Sequence, residues 1–399
     1  MKIGIIVRKL NMRGGIQRQA LSLAFELKRL GEEVKIYTFS YNNSFPELGE
    51  ELDVFSLPQS EHLATGGNFG IFKEDRMAKA LARHIDPDLD ILNPHDNIAH
   101  HVTHYFKKNI KNIPSVWQMN EFPTMRWPLE LLGWDEDPSF HNIPRKSILA
   151  RKLSIKIKTA YENKFIKKQN GITVFDSFHR DMLKKYSGRD AVIVQSGVDH
   201  ERFPFINREA PSPREELRIL SAGNLISYRR FEDIISALPA LLASGLNPFL
   251  TILGDTSPDL KYLAKLKELA QKLGVEKRVS FYGDYGYEIW HEHLVKSHIF
   301  IFPHLQSQSL TAYESILAGL PTIVAAMPGT YETLRHCEVA YIVKPKSPME
   351  ISAGIKEIAS NPELYQKLSK EGSDFIRENF SWERYGREML EVFKRHYKK

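Results

Sequence analysis

The chain has 399 residues, of which 42% are hydrophobic and 26% are charged, and at roughly 100–200 residues per domain it should form two or three domains. This composition excludes a disordered chain, and no stretch reaches the ~18 apolar residues of a membrane span. The single cysteine, Cys337, excludes an internal disulfide and favours a reducing compartment. The net charge of +6 favours anionic partners without choosing among nucleotides, lipid head groups and nucleic acid.

Short β-rich runs alternate with helical patterns along the whole chain, which is typical of parallel sheets with crossover helices. In chain order, strands are predicted at 2–7, 33–39, 89–93, 115–119, 171–175 and 191–195, and then at 217–221, 249–253, 278–282, 299–303, 322–326 and 339–343. The fold class is therefore α/β, with two doubly wound units. A stretch with two prolines and mixed charges at 207–216 predicts an exposed linker between them. Because such sheets bind ligands beyond the carboxyl ends of their strands, we expect functional residues just after strands.

Two glycines, Gly14 and Gly15, follow the first strand and precede a helical pattern over about 17–30. Without side chains they let backbone N–H groups approach a phosphate, with a helix N-terminus behind them. A tight strand-to-helix turn without any ligand is an equally good interpretation of this pair.

The segment 299–326 reads IFIFPHLQSQSLTAYESILAGLPTIVAA and predicts a strand, a polar loop, a short helix to about 318 and a second strand. At the start of that helix, the backbone amides of Leu310 and Thr311 would hold a diphosphate, and Glu314 would accept both hydroxyls of a ribose. Thr311 and Glu314 also fit a capping box, in which the glutamate only bonds back to the backbone.

Together these motifs resemble retaining glycosyltransferases of the GT-B fold, particularly family 4, whose C-terminal signature has two acidic residues separated by seven others. The stretches that match the family, in order, are Gly14-Gly15, SGVDHERF at 196–203, LGD at 253–255, the segment 299–326 and FSWE at 380–383. The resemblance implies two Rossmann-like domains facing a central cleft: an acceptor-binding domain at 1–206, a nucleotide-sugar-binding domain at 207–381, and a last helix at 382–399 that packs back on the first domain. It further implies transfer of a sugar from a nucleoside-diphosphate sugar to a hydroxyl of a glycan, lipid-linked or small-molecule acceptor, with retention of configuration and with no metal or cofactor.

Three family positions are changed in this sequence. Gln306 replaces the first acidic residue, and the loss of charge assistance weakens its hydrogen bonds by roughly 1–2 kcal/mol. Asn224 stands where the family usually has arginine, so one phosphate cation is missing. Asn120 stands where a histidine is common. The residues implied on the sugar and acceptor side are Asn120, Glu121, Gln306 and His95, and those implied on the donor side are Gly14, Gly15, Gly223, Asn224, Arg229, Arg230, Asp255, Ser309, Leu310, Thr311 and Glu314.

Two patterns resemble metal sites, but we interpret them as structural. The D-x-D motif at 88–90 lies in a proline turn before a strand, away from the predicted site, and the one at 135–137 has no assignable partner. His100 and His104 share a helix face within a cluster that includes His101, but too few other ligands are nearby to complete a transition-metal site.

The segment 145–168 carries nine Lys and Arg residues against the single acid Glu162, with aliphatic residues interleaved. This predicts either a helix that lies on an anionic membrane, suited to a lipid-linked acceptor, or a solvated outer face. We therefore expect a cytoplasmic protein, at the inner face of the membrane if the first alternative holds.

The sequence leaves three alternatives to transfer. A GT-B nucleotide-sugar epimerase would use the same donor site without an acceptor. The changes at Gln306, Asn224 and Asn120 also suit a degenerate sugar-nucleotide-binding or scaffolding protein. A nucleic-acid partner is not expected, because no recognition helix or base-stacking motif is found.

Overall fold

The computed structural model describes residues 1–11, 14–42, 52–61, 70–95, 97–123, 145–212, 215–256, 259–283, 285–305, 309–335 and 338–397. The chain divides into two compact units, one formed by Met1–Gly197 with Trp382–Lys399 and the other by Val198–Ser381.

A seven-stranded parallel sheet forms the centre of the first unit. Its strands are β1 (Lys2–Val7), β2 (Glu33–Thr38), β3 (Asp53–Ser56), β4 (Ile91–His95), β5 (Val116–Gln118), β6 (Gly171–Val174) and β7 (Val192–Ile193), in the spatial order β3-β2-β1-β4-β5-β6-β7. Its first helices are α1 (Gly15–Arg29), α2 (Gly70–Ala82), α3 (Ala99–Asn109), α4 (Arg145–Ile166) and α5 (Ser177–Ser187). β1 is almost wholly apolar because both of its faces are covered, as expected of a central parallel strand.

The second unit has a six-stranded parallel sheet. Its strands are β8 (Glu216–Ala222), β9 (Asn247–Leu253), β10 (Val279–Tyr282), β11 (Ile299–Phe302), β12 (Thr322–Ala325) and β13 (Tyr341–Val343), in the order β10-β9-β8-β11-β12-β13. Its helices are α6 (Phe231–Ala243), α7 (Leu260–Lys272), α8 (Tyr287–Lys296), α9 (Leu310–Leu317), α10 (Thr330–Leu334), α11 (Pro348–Ser360) and α12 (Pro362–Asn379). The strand order reverses between β8 and β11, and ligands of open α/β sheets bind at such a switch point.

The last helix, α13 (Trp382–Tyr397), belongs to the first unit, although it follows the second in sequence. Its apolar face, with Tyr385 and Met389, joins the core formed by β1 and α1. Gln19 of α1 donates a hydrogen bond to the Tyr385 hydroxyl at 2.9 Å.

The α/β class and the parallel sheets are confirmed, and each of the twelve predicted strands is present with ends within two residues of those predicted. The sequence analysis missed β3, which pairs with β2 at the edge of the first sheet. Its sequence DVFS is too short to show a strand pattern.

The division between the units lies at Gly197, nine residues before the predicted end of the first domain. Val198 already pairs with Ser381 of the second unit, and His200 Nε2 bonds the Phe380 carbonyl at 2.8 Å. The predicted exposed linker at 207–216 begins on the second unit. There the buried Arg208 side chain donates to the carbonyls of Leu294, Val295 and Ser297.

The structural interpretation of the first D-x-D motif is confirmed. Asp90 accepts from the Lys2 backbone N–H at 2.8 Å, and Asp88 pairs with Lys2 Nζ at 2.5 Å, both at the start of β1. The second motif, 135–137, lies outside the described residues.

Candidate functional site

The candidate site in the second unit is built at the carboxyl ends of β8 and β11. These strands are direct neighbours, with Ile299 beside Ile219 and Phe300 beside Leu220. Gly223 follows the end of β8, the loop with His304 follows the end of β11, and α9 begins at Leu310. The topology therefore brings three segments, from 223, 304 and 310, to one edge of one sheet.

At the start of α9, the helix numbering excludes the capping box. Ser309 is the N-cap residue, but its side chain accepts no capping hydrogen bond from the backbone of the first turn; its hydroxyl instead pairs with the Thr311 hydroxyl at 2.6 Å. A capping box needs its glutamate at the third helical residue, which is Ala312, whereas Glu314 is the fifth. The capping-box alternative is therefore wrong.

Glu314 is held by a tryptophan that the sequence analysis did not select. Its side chain lies on α9, is 2% exposed, and accepts a hydrogen bond from Trp290 Nε1 of α8 at 3.0 Å. A buried carboxylate is costly unless hydrogen bonds satisfy it. The indole N–H therefore fixes the Glu314 side chain in place.

Arg229 and His304 form a second pair at this edge. Arg229 Nη1 donates to His304 Nδ1 at 2.8 Å, and since a guanidinium only donates, the imidazole proton must be on Nε2. Burial, followed by the nearby Arg229 charge, holds the pKa of His304 well below its usual range. His304 is therefore a neutral acceptor that fixes the direction of the guanidinium, and sequence reasoning missed it because 75 residues separate the two.

Gly223 makes this pair possible. Its φ of +150° is strained for other residues, and a Cβ there would lie 2.9 Å from His304 Cε1 and 3.4 Å from Arg229 Nε. Any side chain at this position would push the imidazole away from the guanidinium.

The other predicted donor-side residues differ in how they are engaged. Arg230 forms ion pairs with Glu232 at 2.8 Å and with Asp233 at 2.6 Å, so these carboxylates already hold its guanidinium. Asn224 is exposed at the end of β8. The Asp255 carbonyl accepts from the Leu225 N–H at 2.9 Å and so helps to shape this loop.

Leu310 and Thr311, in the first turn of α9, are partly exposed. Gln306 lies outside the described residues. Its predicted contact with the sugar stays a prediction.

In the first unit, Gly14 caps α1 and Gly15 is its first residue, directly after the loop that follows β1. Asn120 and Glu121 follow β5 at the same carboxyl edge of the sheet. Asn120 is only 8% exposed, and within the described part of the chain neither atom of its amide group has a hydrogen-bond partner. Such an amide is an incomplete polar site, because buried donors and acceptors are normally paired.

His95 differs from its expected place facing an acceptor. It is fully buried at the end of β4, and its Nε2 donates to Asn93 Oδ1 at 2.7 Å. Burial lowers the pKa of His95 to about 3, so the ring is neutral. This geometry favours a structural role for His95 in the core at the end of β4.

A histidine that the sequence analysis overlooked lies near Asn120 and Glu121. His179 of α5 donates from Nδ1 to Asp176 Oδ1 at 2.8 Å, and its backbone N–H donates to the same carboxylate. Burial would lower the pKa of His179, but the Asp176 charge and hydrogen bond, with a further contribution from Glu121, raise it. The N-cap motif at 176–179 was the available sequence signal.

The histidine cluster forms a different group from the one predicted. His100 and His101 of α3, and not His104, meet Glu162 of α4: both Nε2 atoms lie 2.9 Å from Glu162 Oε2. Among the described residues these three form a group whose ligand atoms lie within 4.8 Å of one another, as a metal site would need. The same atoms satisfy one another by hydrogen bonds, however, and Asp75 pairs with the other nitrogen of His101.

The basic segment forms most of α4, whose first half is largely exposed. None of the helices in the described ranges combines the length and the apolar character needed to cross a membrane.

Comparisons with known proteins agree with this architecture. Residues 13–202 match the model of Glycosyltransferase Family 4, and residues 202–375 match that of Glycosyl transferases group 1. The chain is 24% identical over 402 residues to an uncharacterized glycosyltransferase of Methanocaldococcus jannaschii, covering 99% of this chain and 98% of that one. It is 21% identical over 395 residues to mannosylfructose-phosphate synthase of Agrobacterium fabrum, covering 94% and 85% of the two chains.

Solved structures share the fold at lower identity. Sucrose-phosphate synthase from Thermosynechococcus elongatus superposes with a TM-score of 0.77 at 16% identity, covering 99% of this chain and 98% of that one. HepE of Anabaena, in complex with UDP-glucose, gives a TM-score of 0.76 at 14% identity, covering 99% of both chains.

Two parallel α/β units with this topology define the GT-B fold. The two family models together span residues 13–375, and the chain belongs to the family 4-like glycosyltransferases.

Proposed function

We propose that this protein transfers a sugar from a nucleoside-diphosphate sugar to an acceptor hydroxyl, with retention of the anomeric configuration. Two features of the second unit carry the proposal: the Arg229 guanidinium, which His304 holds in position, and the buried Glu314 carboxylate of α9, which Trp290 holds. The cation is suited to bind a diphosphate, and the carboxylate is suited to accept hydrogen bonds from the two hydroxyls of a ribose. The titles of the HepE structures name UDP and UDP-glucose as ligands of that protein, which supports a nucleotide-sugar donor here as well.

The leaving nucleoside diphosphate gains negative charge as the glycosidic bond breaks, so the barrier falls when donors are already aimed at its oxygens. In this chain we assign that work to Arg229 and to the backbone N–H groups of Leu310 and Thr311 at the start of α9. His304 keeps the Arg229 guanidinium directed without adding charge of its own. Glu314 accepts the ribose hydroxyls, and Gln306 contacts the transferred sugar.

On the acceptor side we assign Asn120 and Glu121, at the carboxyl end of β5. The Asn120 amide, which has no partner among the described residues, has one donor group and one acceptor group to offer a hydroxylated ligand. The glycine pair Gly14-Gly15, before α1, is assigned to the donor, because it allows close backbone approach to a phosphate. We expect activity in a cytoplasmic setting without metal or cofactor.

Thermal unfolding of the protein with a panel of UDP-, GDP- and ADP-sugars tests the donor assignment, since a ligand that binds only the native state raises the melting temperature by mass action. The stabilising donor is then incubated with candidate acceptors, and the anomeric configuration of the product is read by NMR. A single base series is expected to stabilise the protein; the absence of any shift across the panel would contradict the proposal.

A donor-binding protein without transfer activity is the second candidate. Two observations favour it: Asn224 supplies no charge, and Arg230 is already paired with Glu232 and Asp233. Tight donor binding without transfer or hydrolysis would support it. Conversion of the donor sugar in the absence of any acceptor would instead identify an epimerase.

A further inference from the structure

Helix α4 exposes three aliphatic side chains in a single row. Leu149, Leu153 and Ile157 are 73%, 59% and 60% exposed, respectively. Residues four apart lie on the same side of a helix, so the three form one continuous stripe. Single exposed aliphatic residues are ordinary on protein surfaces, but an aligned row marks an interaction site.

Cations flank this row, and no acid does. Between 147 and 161 the helix has four exposed basic side chains and no Asp or Glu. At ~100° per residue, Lys152 and Lys156 lie within about 60° of the row on one side, whereas Arg151 and Lys158 lie about 100–120° beyond it, towards the opposite side of the helix. The face therefore combines an apolar row with a positive flank.

We propose that this face of α4, which we call the docking face, binds in the plane of an anionic lipid bilayer, with Leu149, Leu153 and Ile157 inserted at the boundary between head groups and acyl chains. Interfacial helices combine an apolar row with flanking Lys and Arg in this way, and each cation near an anionic leaflet strengthens the attraction. A second copy of this chain is a poorer occupant, because pairing two docking faces would bring their cations together.

The place of α4 in the fold gives the docking a consequence. Beyond the C-terminal end of α4, the backbone N–H of Asn170 bonds to the Ser115 carbonyl, where β5 and β6 begin. Because the strands are parallel and α4 leads back to the start of β6, the first half of α4 lies towards the carboxyl edge of the sheet. Asn120 and Glu121 are at that edge. This consequence rests on the proposed function: an acceptor anchored in the same bilayer would be presented to the acceptor-side residues.

The test is a vesicle co-sedimentation assay with the full chain. The wild-type protein is expected to bind vesicles of mixed phosphatidylglycerol and phosphatidylcholine, to release from them at high salt, and to ignore phosphatidylcholine alone. Two variants probe the two components of the face: Leu149→Ser with Leu153→Ser and Ile157→Ser, and Lys152→Glu with Lys156→Glu. Each is expected to weaken binding at least about tenfold.

A matched control changes the same residue types on α7 of the other unit. There Leu260 is 66% exposed, and Lys261 and Lys265 are also exposed. Leu260→Ser with Lys261→Glu and Lys265→Glu is expected to bind vesicles like the wild type. All variants change exposed positions and are expected to keep the wild-type melting temperature, which confirms that they are folded.

Absence of wild-type binding to the anionic vesicles would overturn the proposal, and so would equal binding by the control and the docking-face variants. A wild-type dimer in sedimentation velocity that the triple serine variant dissociates would instead assign the face to self-association. Thermal shifts with sugar nucleotides, measured on the same variants, separate this result from the proposed function: they should be unchanged when docking is lost.

Discussion

Replacement of Glu314 separates its structural role from its proposed ribose contact. Glu314→Ala leaves the buried Trp290 N–H without the acceptor that now lies at 3.0 Å. Leaving a buried donor unsatisfied costs about 1–3 kcal/mol, and for a unit of this size each kcal/mol lowers the melting temperature by about 2–4 °C. We therefore expect the second unit to melt about 2–12 °C lower, still cooperatively.

The same substitution also removes the proposed acceptor of the ribose hydroxyls. Hydrogen bonds to a charged group contribute about 1.5–3 kcal/mol, so the donor should bind roughly 10–150-fold more weakly. Glu314→Gln keeps an oxygen that can accept from Trp290 and loses only the charge. It should melt close to the wild type and show an intermediate loss of affinity.

Trp290→Phe is the matched control, because it removes the indole N–H and leaves the carboxylate. It should lower stability and affect donor affinity much less than Glu314→Ala does. Calorimetric titration with the stabilising sugar nucleotide measures the affinities. Wild-type affinity in Glu314→Ala, together with the fall in melting temperature, would refute the ribose role and leave Glu314 a purely structural residue.

Three further predictions concern the second unit, the first unit and metal dependence. His304→Phe removes the acceptor that directs Arg229, and we expect the donor KM to rise about tenfold; His304→Asn, whose amide oxygen replaces Nδ1, should largely restore it, and equal KM values in the two variants would contradict the positioning role. Burial would raise the pKa of Glu162, but the bonds from His100 and His101 outweigh it and lower the pKa from 4.5 to about 2. The ionised Glu162 therefore adds folding stability that is complete above about pH 4.5 and is lost as the pH falls towards 2. Denaturant unfolding between pH 3 and pH 7 should show a flatter acid limb for Glu162→Gln than for the wild type, and identical slopes would disprove the coupling. Finally, transfer should proceed undiminished with a strong chelator present, and loss of turnover would indicate a metal requirement.

His101 of the same network makes folding stability depend on pH in the opposite direction. Burial would lower the pKa of His101, but its bonds to Asp75 and Glu162 raise it above 6.5. A raised pKa contributes stability that is complete below about pH 6.5 and is lost as the pH rises through the folded value. The group of His100, His101 and Glu162 therefore contributes most to folding stability between about pH 4.5 and pH 6.5.

The strands could be predicted from the sequence because buried parallel strands are continuous apolar runs bounded by turn residues. β1 and β11 are of this kind, and glycine at 319 correctly marked the end of α9, where its φ is +75°. β3 was missed because an edge strand of four residues needs few apolar positions. The domain boundary was misplaced because two prolines suggested a free linker. Hydrogen bonds from the buried Arg208 side chain to three carbonyls instead hold the beginning of the segment 207–216 on the second unit.

The candidate site was predicted only where its residues are close in sequence. The start of α9 and Glu314 lie within one segment, so their relation follows from helix geometry. Trp290 and His304 acquire meaning through partners 24 and 75 residues away, and no local pattern reports such pairings. The histidine cluster shows the same limit: helical spacing pairs His100 with His104, whereas the fold pairs His100 and His101 with a glutamate from another helix.

The central claim is that a nucleoside diphosphate binds at the start of α9. Hydrogen–deuterium exchange at single-amide resolution tests it most directly, measured with and without the sugar nucleotide that most stabilises the protein. Slower exchange of the Leu310 and Thr311 amides is expected, because both would donate to phosphate oxygens. Unchanged exchange at these two amides, with protection appearing elsewhere in the chain, would contradict the account.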